Sequence, residues 1–137
     1  MQEIPDQIRT TRARPGGTGH LLYNTSWTLK QNGGALASIL ATDLYKTSAL
    51  VPASPWLDPT PPAAPALTLS GNVLQIIPAA GESARWWGVR TRDPGGWTSR
   101  VLFVDQKTLT IDATVIRVLV QAVDQAGNAS TAAEWRR

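Results

Sequence analysis

The chain has 137 residues, of which 42% are hydrophobic and 17% are charged, proportions typical of a folded globular protein rather than a disordered one. It contains no cysteine, which excludes a disulfide framework, a thiolate metal site and a cysteine nucleophile. The net charge of +3 comes from basic residues scattered along the chain, so the sequence predicts no nucleic-acid-binding surface.

Hydropathy predicts neither a membrane span nor a targeting segment. No apolar stretch approaches the roughly 20 residues that a membrane-spanning helix requires. The first residues, MQEIPD, are polar, so we expect no signal peptide in this chain. Either the protein is cytoplasmic, or the chain is an internal piece of a longer protein whose targeting segment has been removed.

The first part of the chain is predicted to form a helix, a strand and a second helix. A weak helical pattern covers Asp6–Arg14 and ends at Pro15. Residues Gly19–Leu29 contain a short apolar run with β-favouring side chains, which predicts a strand. Within Gly34–Lys46, leucine and isoleucine recur at helical spacing, which predicts an amphipathic helix. One strand cannot satisfy its own hydrogen-bonding groups, so this part is incomplete by itself.

A proline-rich segment divides the chain. Six of the ten prolines lie between Pro52 and Pro65, and proline favours stiff, extended backbone. We therefore predict three parts, namely residues 1–51, a linker at 52–65 and a β-domain at 66–137. Trp56 is predicted to anchor the linker against one of the domains.

Seven short strand-like runs separated by turn signals follow the linker within about 75 residues, which predicts an antiparallel β-sandwich. The predicted strands are Ala66–Leu69, Val73–Ile77, Arg85–Thr91, Trp97–Val104, Thr108–Ile111, Val115–Val123 and Ser130–Glu134. A hairpin turn is predicted at Asp93–Gly96.

Alternation of side chains assigns the faces of two of these strands. Trp87 and Val89 share one face of their strand, while Trp86, Gly88 and Arg90 share the other. In the sixth strand the positions predicted to face inward are Ile116, Val118, Val120 and Ala122.

The segment VQAVDQAGNAS, residues 120–130, resembles the penultimate strand and following turn of bacterial fibronectin type III domains. The preceding proline-rich segment and the pair Leu67 and Leu69 resemble that family too. The tyrosine usual near the start of this strand is replaced by Ile116, and the core tryptophan role passes to Trp87. The resemblance implies a seven-stranded fibronectin type III-like sandwich for residues 66–137.

The segments GHLLYNTSWTL, GGALASILATDLY and ALVPASPWLD, in that order, resemble the close of the barrel in bacterial glycosyl-hydrolase-like family 10 proteins. There, a last barrel strand and helix lead into a C-terminal fibronectin-like domain. The resemblance implies that residues 1–51 are the terminal βα segment of a barrel. It also implies an upstream catalytic barrel and a bacterial cell-wall or other polysaccharide as partners, and an extracellular or periplasmic parent protein.

Catalytic residues are not predicted within this chain. A complete barrel needs about eight βα units, and glycosidases use a pair of carboxyl groups. No such pair is predicted from the acidic residues Glu3, Asp6, Asp43 and Asp58. His20 is the single histidine and has no neighbouring carboxylate, so we expect neither a metal site nor a cofactor.

Two groups of residues are candidates for binding. By the resemblance, Asn24, Ser26 and Trp27 line the sugar-binding end of the barrel; the alternative is that Trp27 packs under the neighbouring helix. In the β-domain, Trp86, Arg90 and Trp97 are predicted to form an exposed stacking face on adjacent strands. The alternative for the two tryptophans is burial against a neighbouring domain.

We therefore expect a non-catalytic C-terminal accessory region of a glycoside hydrolase, one that braces the barrel or aids polysaccharide binding. Two other classes stay open. One is a free-standing interaction module that binds protein or glycan through its aromatic face, and the other is a small complete enzyme.

Overall fold

A computed structural model describes residues 2–17, 19–81 and 84–137. These residues form two compact units, Met1–Thr47 and Ser48–Arg137. The first unit contains short helices, and the second contains two antiparallel sheets, so the chain is mainly β.

The first unit is helical and has a small core. Its elements are helix α1 (Glu3–Ala13), helix α2 (Thr25–Lys30), a 3₁₀ segment (Gln31–Gly34), helix α3 (Ala35–Ile39) and a π-helical turn (Leu40–Leu44). Both predicted helices are therefore present, the first beginning at Glu3 rather than Asp6. Ile8, Leu36 and Leu40 are buried against one another.

The predicted strand at Gly19–Leu29 is wrong. Residues 19–24 form no regular secondary structure, and Thr25–Lys30 is helix α2. The cause is a local cap, because Asn24 Oδ1 accepts a hydrogen bond from the Trp27 backbone N–H at 3.0 Å. The Asn24 carbonyl also accepts from the Thr28 N–H at 3.0 Å, which starts the helical ladder. The described part of this unit therefore contains no strand that could belong to a barrel.

The second unit is a sandwich of two antiparallel sheets. Its strands are β1 (Ala66–Ser70), β2 (Val73–Ile77), β3 (Trp86–Asp93), β4 (Gly96–Phe103), β5 (Thr108–Thr110), β6 (Arg117–Val123) and β7 (Ala133–Arg136). One sheet has the order β1-β2-β5 and the other β4-β3-β6-β7. All seven predicted strands are present, with β7 shifted furthest from its predicted position.

The core lies between the inner faces of the two sheets. The side chains that are at most 1% exposed there are Leu74, Ile76, Trp87, Val89, Val118, Val120 and Ala122. Burial of Trp87 and Val89 confirms the predicted inner face of β3. The Trp87 indole N–H donates to the Val104 carbonyl at 3.2 Å, so its one polar group is satisfied inside the core.

Ile116 is the exception to the predicted pattern of β6, since it is 47% exposed. It precedes the strand, and Val115 is buried in its place. The Val115 N–H donates to the Asp112 carbonyl at 3.0 Å in a turn. Because this turn sets the direction of the chain before Arg117, the alternation predicted from β6 does not extend back to Ile116.

Residues 48–58, here called the strap, pack on the sandwich within the second unit. Leu50 lies over the outer face of β3, where a Cβ atom added to Gly88 would lie 3.0 Å from Leu50 Cδ1. Ser54 N–H donates to the Ala126 carbonyl at 2.8 Å, and Asn128 Nδ2 donates to the Asp58 carbonyl at 2.8 Å.

Trp56 does not anchor the strap as predicted. Its side chain is 79% exposed, whereas the strap is held by Leu50 and by backbone hydrogen bonds. A proline-rich segment has few backbone N–H groups, because proline has none. The strap therefore uses one donor, the Ser54 N–H, and one acceptor, the Asp58 carbonyl, for these bonds.

Candidate functional site

The outer face of the four-stranded sheet is divided into two halves by the register of its strands. At one end Trp86 pairs with Phe103 of β4 and Val123 of β6. At the other end Arg92 pairs with Trp97 of β4 and Arg117 of β6. The first half lies under the strap, and the second half carries an aromatic ring among arginines.

Trp97 is the centre of this second half. The guanidinium carbons of three arginines lie near its ring centroid, Arg90 at 5.0 Å, Arg117 at 5.6 Å and Arg92 at 5.8 Å. These distances are within the range of cation–π attraction. Trp97 nevertheless remains 37% exposed. We call Trp97, Arg90, Arg92 and Arg117 the Trp97 cluster.

The predicted hairpin brings Trp97 to Arg92. Gly96 adopts φ of 125°, a backbone conformation that L side chains rarely adopt, and the Asp93 carboxylate accepts from the Gly95 N–H at 2.8 Å. This turn places Trp97 directly opposite Arg92. Alternation along β3 then puts Arg90 on the same face.

A carboxylate lies at the edge of the Trp97 cluster. Glu134 of β7 accepts hydrogen bonds from Arg117 and Arg136. Hydrogen bonds from Arg136 and then Arg117 lower the pKa of Glu134 from its ordinary 4.5 to about 2. Among the residues that the structure describes, neither Arg90 nor Arg92 forms an ion pair. The face therefore presents four arginines and one paired carboxylate.

The lowered pKa of Glu134 predicts a small acid-dependent loss of stability. Because the pKa is lower in the folded chain than in the unfolded chain, the contribution is present above pH about 4.5 and is lost as pH falls toward about 2. Glu134→Gln should lower the Tm at pH about 6, and the difference from the wild type should vanish near pH about 2. The effect is small because solvent screens this exposed pair.

Scanning calorimetry across that pH range measures the difference. Asp112→Asn is the control, at an exposed carboxylate without an ion pair in the described parts of the chain. An equal Tm difference between wild type and Glu134→Gln at both ends of the pH range would contradict the assignment.

The structure brings together two of the three residues predicted for this face. Arg90 and Trp97 are in contact in the Trp97 cluster. Trp86 is six residues from Arg92 along β3, which separates it from Trp97 by about 20 Å. Trp86 is half-buried and lines a cavity of about 150 Å³ with Leu50 and Val51 of the strap. One aromatic platform containing both tryptophans is therefore not formed.

Sequence reasoning missed two members of the Trp97 cluster. Arg92 carried a readable signal, because it alternates with Arg90 and a four-residue turn at Asp93–Gly96 places it opposite Trp97. Arg117 alternates with the inward positions of β6 and so lies on the outer face, but the pairing of β6 with β3 joins residues far apart in the chain. No local pattern indicates that pairing.

The three candidates in the first unit lie together at the start of helix α2, not at the end of a strand. Asn24 caps this helix through its side-chain oxygen. Ser26 and Trp27 line an open depression of about 360 Å³ with Lys30 and Asn32. Trp27 is 66% exposed, so the alternative in which it packs under a neighbouring helix is wrong. Sugar binding by these residues stays a prediction.

The acidic residues considered for catalysis have partners of their own. Asp6 and Asp43 both pair with Arg9. Glu3 Oε1 accepts from Gln7 Nε2 at 3.2 Å, and Asp58 Oδ1 accepts from a backbone N–H at 2.8 Å. These bonds hold the carboxylates in local helix, loop and strap structure.

His20 contacts Tyr45 through a hydrogen bond between its Nε2 and the phenol oxygen. The Arg12 guanidinium lies 5.0 Å from the same tyrosine ring. Within residues 2–17, 19–81 and 84–137, no three histidine or carboxylate side chains are grouped closely enough to hold a metal ion. None of the helices described is both long enough and apolar enough to cross a membrane.

Comparison with known proteins gives one partial match. No protein-family profile matches the chain. Over 53 residues the chain is 47% identical to a protein named Glycosyl hydrolase YngK from Bacillus subtilis (strain 168). The match covers 35% of this chain, which spans only 10% of the length of that curated relative. The matched part of the chain is therefore related to a glycosyl hydrolase.

Proposed function

We propose that the chain is the non-catalytic C-terminal accessory region of a glycoside-hydrolase-like protein of the family 10 kind. In this proposal an upstream barrel performs the hydrolysis outside the cytoplasm, and the sandwich braces that barrel and binds polysaccharide. The observation that carries the proposal is the 47% identity, over 53 residues, to a protein named as a glycosyl hydrolase.

The topology of the second unit supports a fibronectin type III-like domain. Seven strands form sheets of three and four, with β4 paired to β3. In the constant-type immunoglobulin arrangement the fourth strand belongs instead to the sheet of the first two. The motif VQAVDQAGNAS covers the end of β6 and the turn after it, in keeping with the resemblance from which the domain was proposed.

The exposed apolar side chains of the first unit support its attachment to further protein. Leu21 and Tyr23 are 87% and 90% exposed, and Trp27 is 66% exposed. Neighbouring exposed apolar residues mark interaction sites in soluble proteins. In this proposal the parent's upstream barrel is the partner that covers these side chains.

The accessory role predicts that the purified chain releases no sugar. The catalytic carboxyl pair would lie in the upstream barrel, since the four candidate carboxylates accept structural hydrogen bonds or ion pairs. Reducing-end release from a panel of bacterial and plant polysaccharides should equal the blank for this chain, whereas the full-length parent should show turnover.

The control is the parent with its last fibronectin-like region intact but with one barrel carboxylate replaced, which should be inactive. Turnover by the isolated chain that disappears on replacement of a single carboxylate, such as Asp43→Asn, would overturn the non-catalytic role.

A free-standing interaction module is the second candidate, and the Trp97 cluster favours it. The cluster lies within one unit, and two of its arginines form no ion pair among the described residues. Such a module would bind its partner equally well without any barrel. Loss of stability or activity of the parent when this chain is deleted would favour the accessory role over the free module.

A further inference from the structure

The strongest unexplained feature of the second unit is the chemistry of the Trp97 cluster together with the groove beside it. The groove has a volume of about 220 Å³ and is lined by residues of the strap and by Arg90 of the cluster. It is lined by Leu50 of the strap and by Gly88, Arg90 and Arg100 of the sheet, and Ser99 and Gln121 add polar groups. Arg90 therefore belongs both to the cluster and to the groove.

We propose that this groove and the Trp97 cluster bind a carboxylated polysaccharide, with Arg90 and Arg92 as the residues that hold its carboxylates. The inference deepens the proposed polysaccharide binding and rests on it for the choice of a glycan. The anionic character of the ligand comes from the structure of the sheet face itself.

The charge on the two arginines is available to a ligand. Glu134 is already held by Arg117 and Arg136. Arg90 and Arg92 contact only the Trp97 ring among the interactions found in the described residues. A guanidinium stacked on a ring keeps its edge N–H donors free, and these match a carboxylate in a bidentate pair.

In this proposal Trp97 positions the arginine side chains for the ligand. Holding three guanidiniums within 5.0 to 5.8 Å of one ring limits their rotamers before a ligand arrives. Less side-chain entropy is then lost on binding. The exposed part of Trp97 also offers an apolar edge beside the charged groups.

The groove sets the size of what can enter. Its 220 Å³ is below the roughly 300–1,000 Å³ of sites for drug-sized ligands, so it suits one sugar ring of a longer chain. The hydroxyl of Ser99 and the side-chain oxygen of Gln121 are groups that bind sugar hydroxyls. The Gln121 Nε2 already donates to the Ser130 carbonyl at 2.7 Å, which fixes the orientation of this side chain.

A nucleic acid fits these observations less well. Affinity for nucleic acid grows with the number of phosphates neutralised, and in the cluster and groove only Arg90, Arg92 and Arg100 lack a carboxylate partner among the described residues. Single-stranded binding also uses several aromatic rings in series, whereas Trp86 is half-buried and lines the cavity under the strap. Sparse carboxylates on a sugar polymer suit a small number of unpaired arginines beside one aromatic ring.

The test compares carboxymethyl cellulose with hydroxyethyl cellulose, two polymers with the same backbone and different charge. Affinity electrophoresis and titration calorimetry of the full chain should show binding to the first only. Arg90→Gln with Arg92→Gln should weaken that binding about tenfold or more, since hydrogen bonds to charged groups are lost. Trp97→Ala should weaken it less, because the arginines remain but are no longer ordered.

Two control variants distinguish binding at this site from nonspecific attraction between the polymer and the positive charge of the protein. Arg85→Gln with Lys107→Gln removes the same charge at exposed residues of the same unit outside the cluster and should change binding less than about twofold. Arg90→Lys with Arg92→Lys keeps the charge but loses the bidentate geometry, so it should restore only part of the affinity. Circular dichroism verifies that each variant is folded.

Several outcomes would overturn the inference. They are equal binding to hydroxyethyl cellulose, an equal loss in the control double variant, and binding of polyglutamate or single-stranded DNA as tight as that of carboxymethyl cellulose. The proposed accessory function fails by a different readout, namely sugar release by this chain. Binding of neutral polysaccharide with no contribution from the arginines would sink this inference while leaving the accessory function intact.

Discussion

Trp87→Ala is expected to lower the free energy of unfolding of the second unit by about 3–5 kcal/mol. Trp87 is fully buried between the two sheets, so truncation leaves a cavity within the buried core cluster that also contains Val89, Val118 and Val120. The hydrogen bond from its indole N–H to the Val104 carbonyl is lost as well. Since small domains are stable by only about 5–15 kcal/mol, a loss of this size removes much of the stability.

Urea unfolding followed by far-UV circular dichroism measures this loss. Trp56→Ala is the matched control, because the same side chain is removed from a position that is 79% exposed. Its effect should be within about 0.5 kcal/mol of zero. Equal urea midpoints for Trp87→Ala and Trp56→Ala would contradict the position of Trp87 in the core.

Gly127→Ala is expected to release the strap from the sandwich. Gly127 adopts φ of 84°, and a Cβ atom there would lie 2.8 Å from the Pro52 carbonyl oxygen and 3.0 Å from that of Val51. Backbone atoms cannot move aside as a flexible side chain can, so the strap must shift. A non-glycine residue in the left-handed conformation costs about 1–2 kcal/mol by itself. The loss in stability of Gly127→Ala should exceed that cost.

Gly71→Ala isolates that conformational cost, because Gly71 has φ of 61° and open space around its Cβ position. Hydrogen exchange of the strap then distinguishes the two variants. The Ser54 amide proton is hydrogen-bonded to the Ala126 carbonyl. Its exchange rate should increase in Gly127→Ala and should equal that of the wild type in Gly71→Ala. Slow exchange of Ser54 in a folded Gly127→Ala variant would show that the strap is held elsewhere.

The segment VQAVDQAGNAS contains the loop that holds the strap. Asp124 accepts from both the backbone and side-chain N–H groups of Asn128 at 2.8 and 2.9 Å. Asn128 in turn donates to the strap, and Ser130 accepts from the Ala122 N–H at 3.0 Å. These three polar side chains are buried and satisfied by one another and by backbone groups. Gly127 makes room for the strap beside them.

The strands of the second unit were predictable because their signals are local. Alternating apolar side chains and turn residues such as Asp93–Gly96 act over a few positions, and each strand was found near its predicted place. The inner face of β3 followed from the same alternation. The exception at Ile116 arose where a turn at Asp112 reorients the chain just before the strand.

The predicted strand in the first unit failed for an equally local reason. The side chains of this segment favour a β-strand only weakly, and that preference depends on the surrounding structure. The side chain of Asn24 forms a helix cap with Trp27, and this bond starts helix α2. Asparagine before Thr25 was a readable helix-start signal that competed with the apolar run.

The sequence alone determined those features of the protein that depend on local interactions. They are the number, order and approximate bounds of the seven strands, the inner face around Trp87, and the hairpin that sets Trp97 opposite Arg92. Only the tertiary structure decided which distant segments share a surface. It placed the strap over Trp86, excluding that tryptophan from the candidate site, and brought Arg117 to the Trp97 ring. The reason is that both contacts join residues far apart in the chain. The local conformational preference of a residue is the same whichever distant residue it contacts, so local patterns do not indicate these contacts.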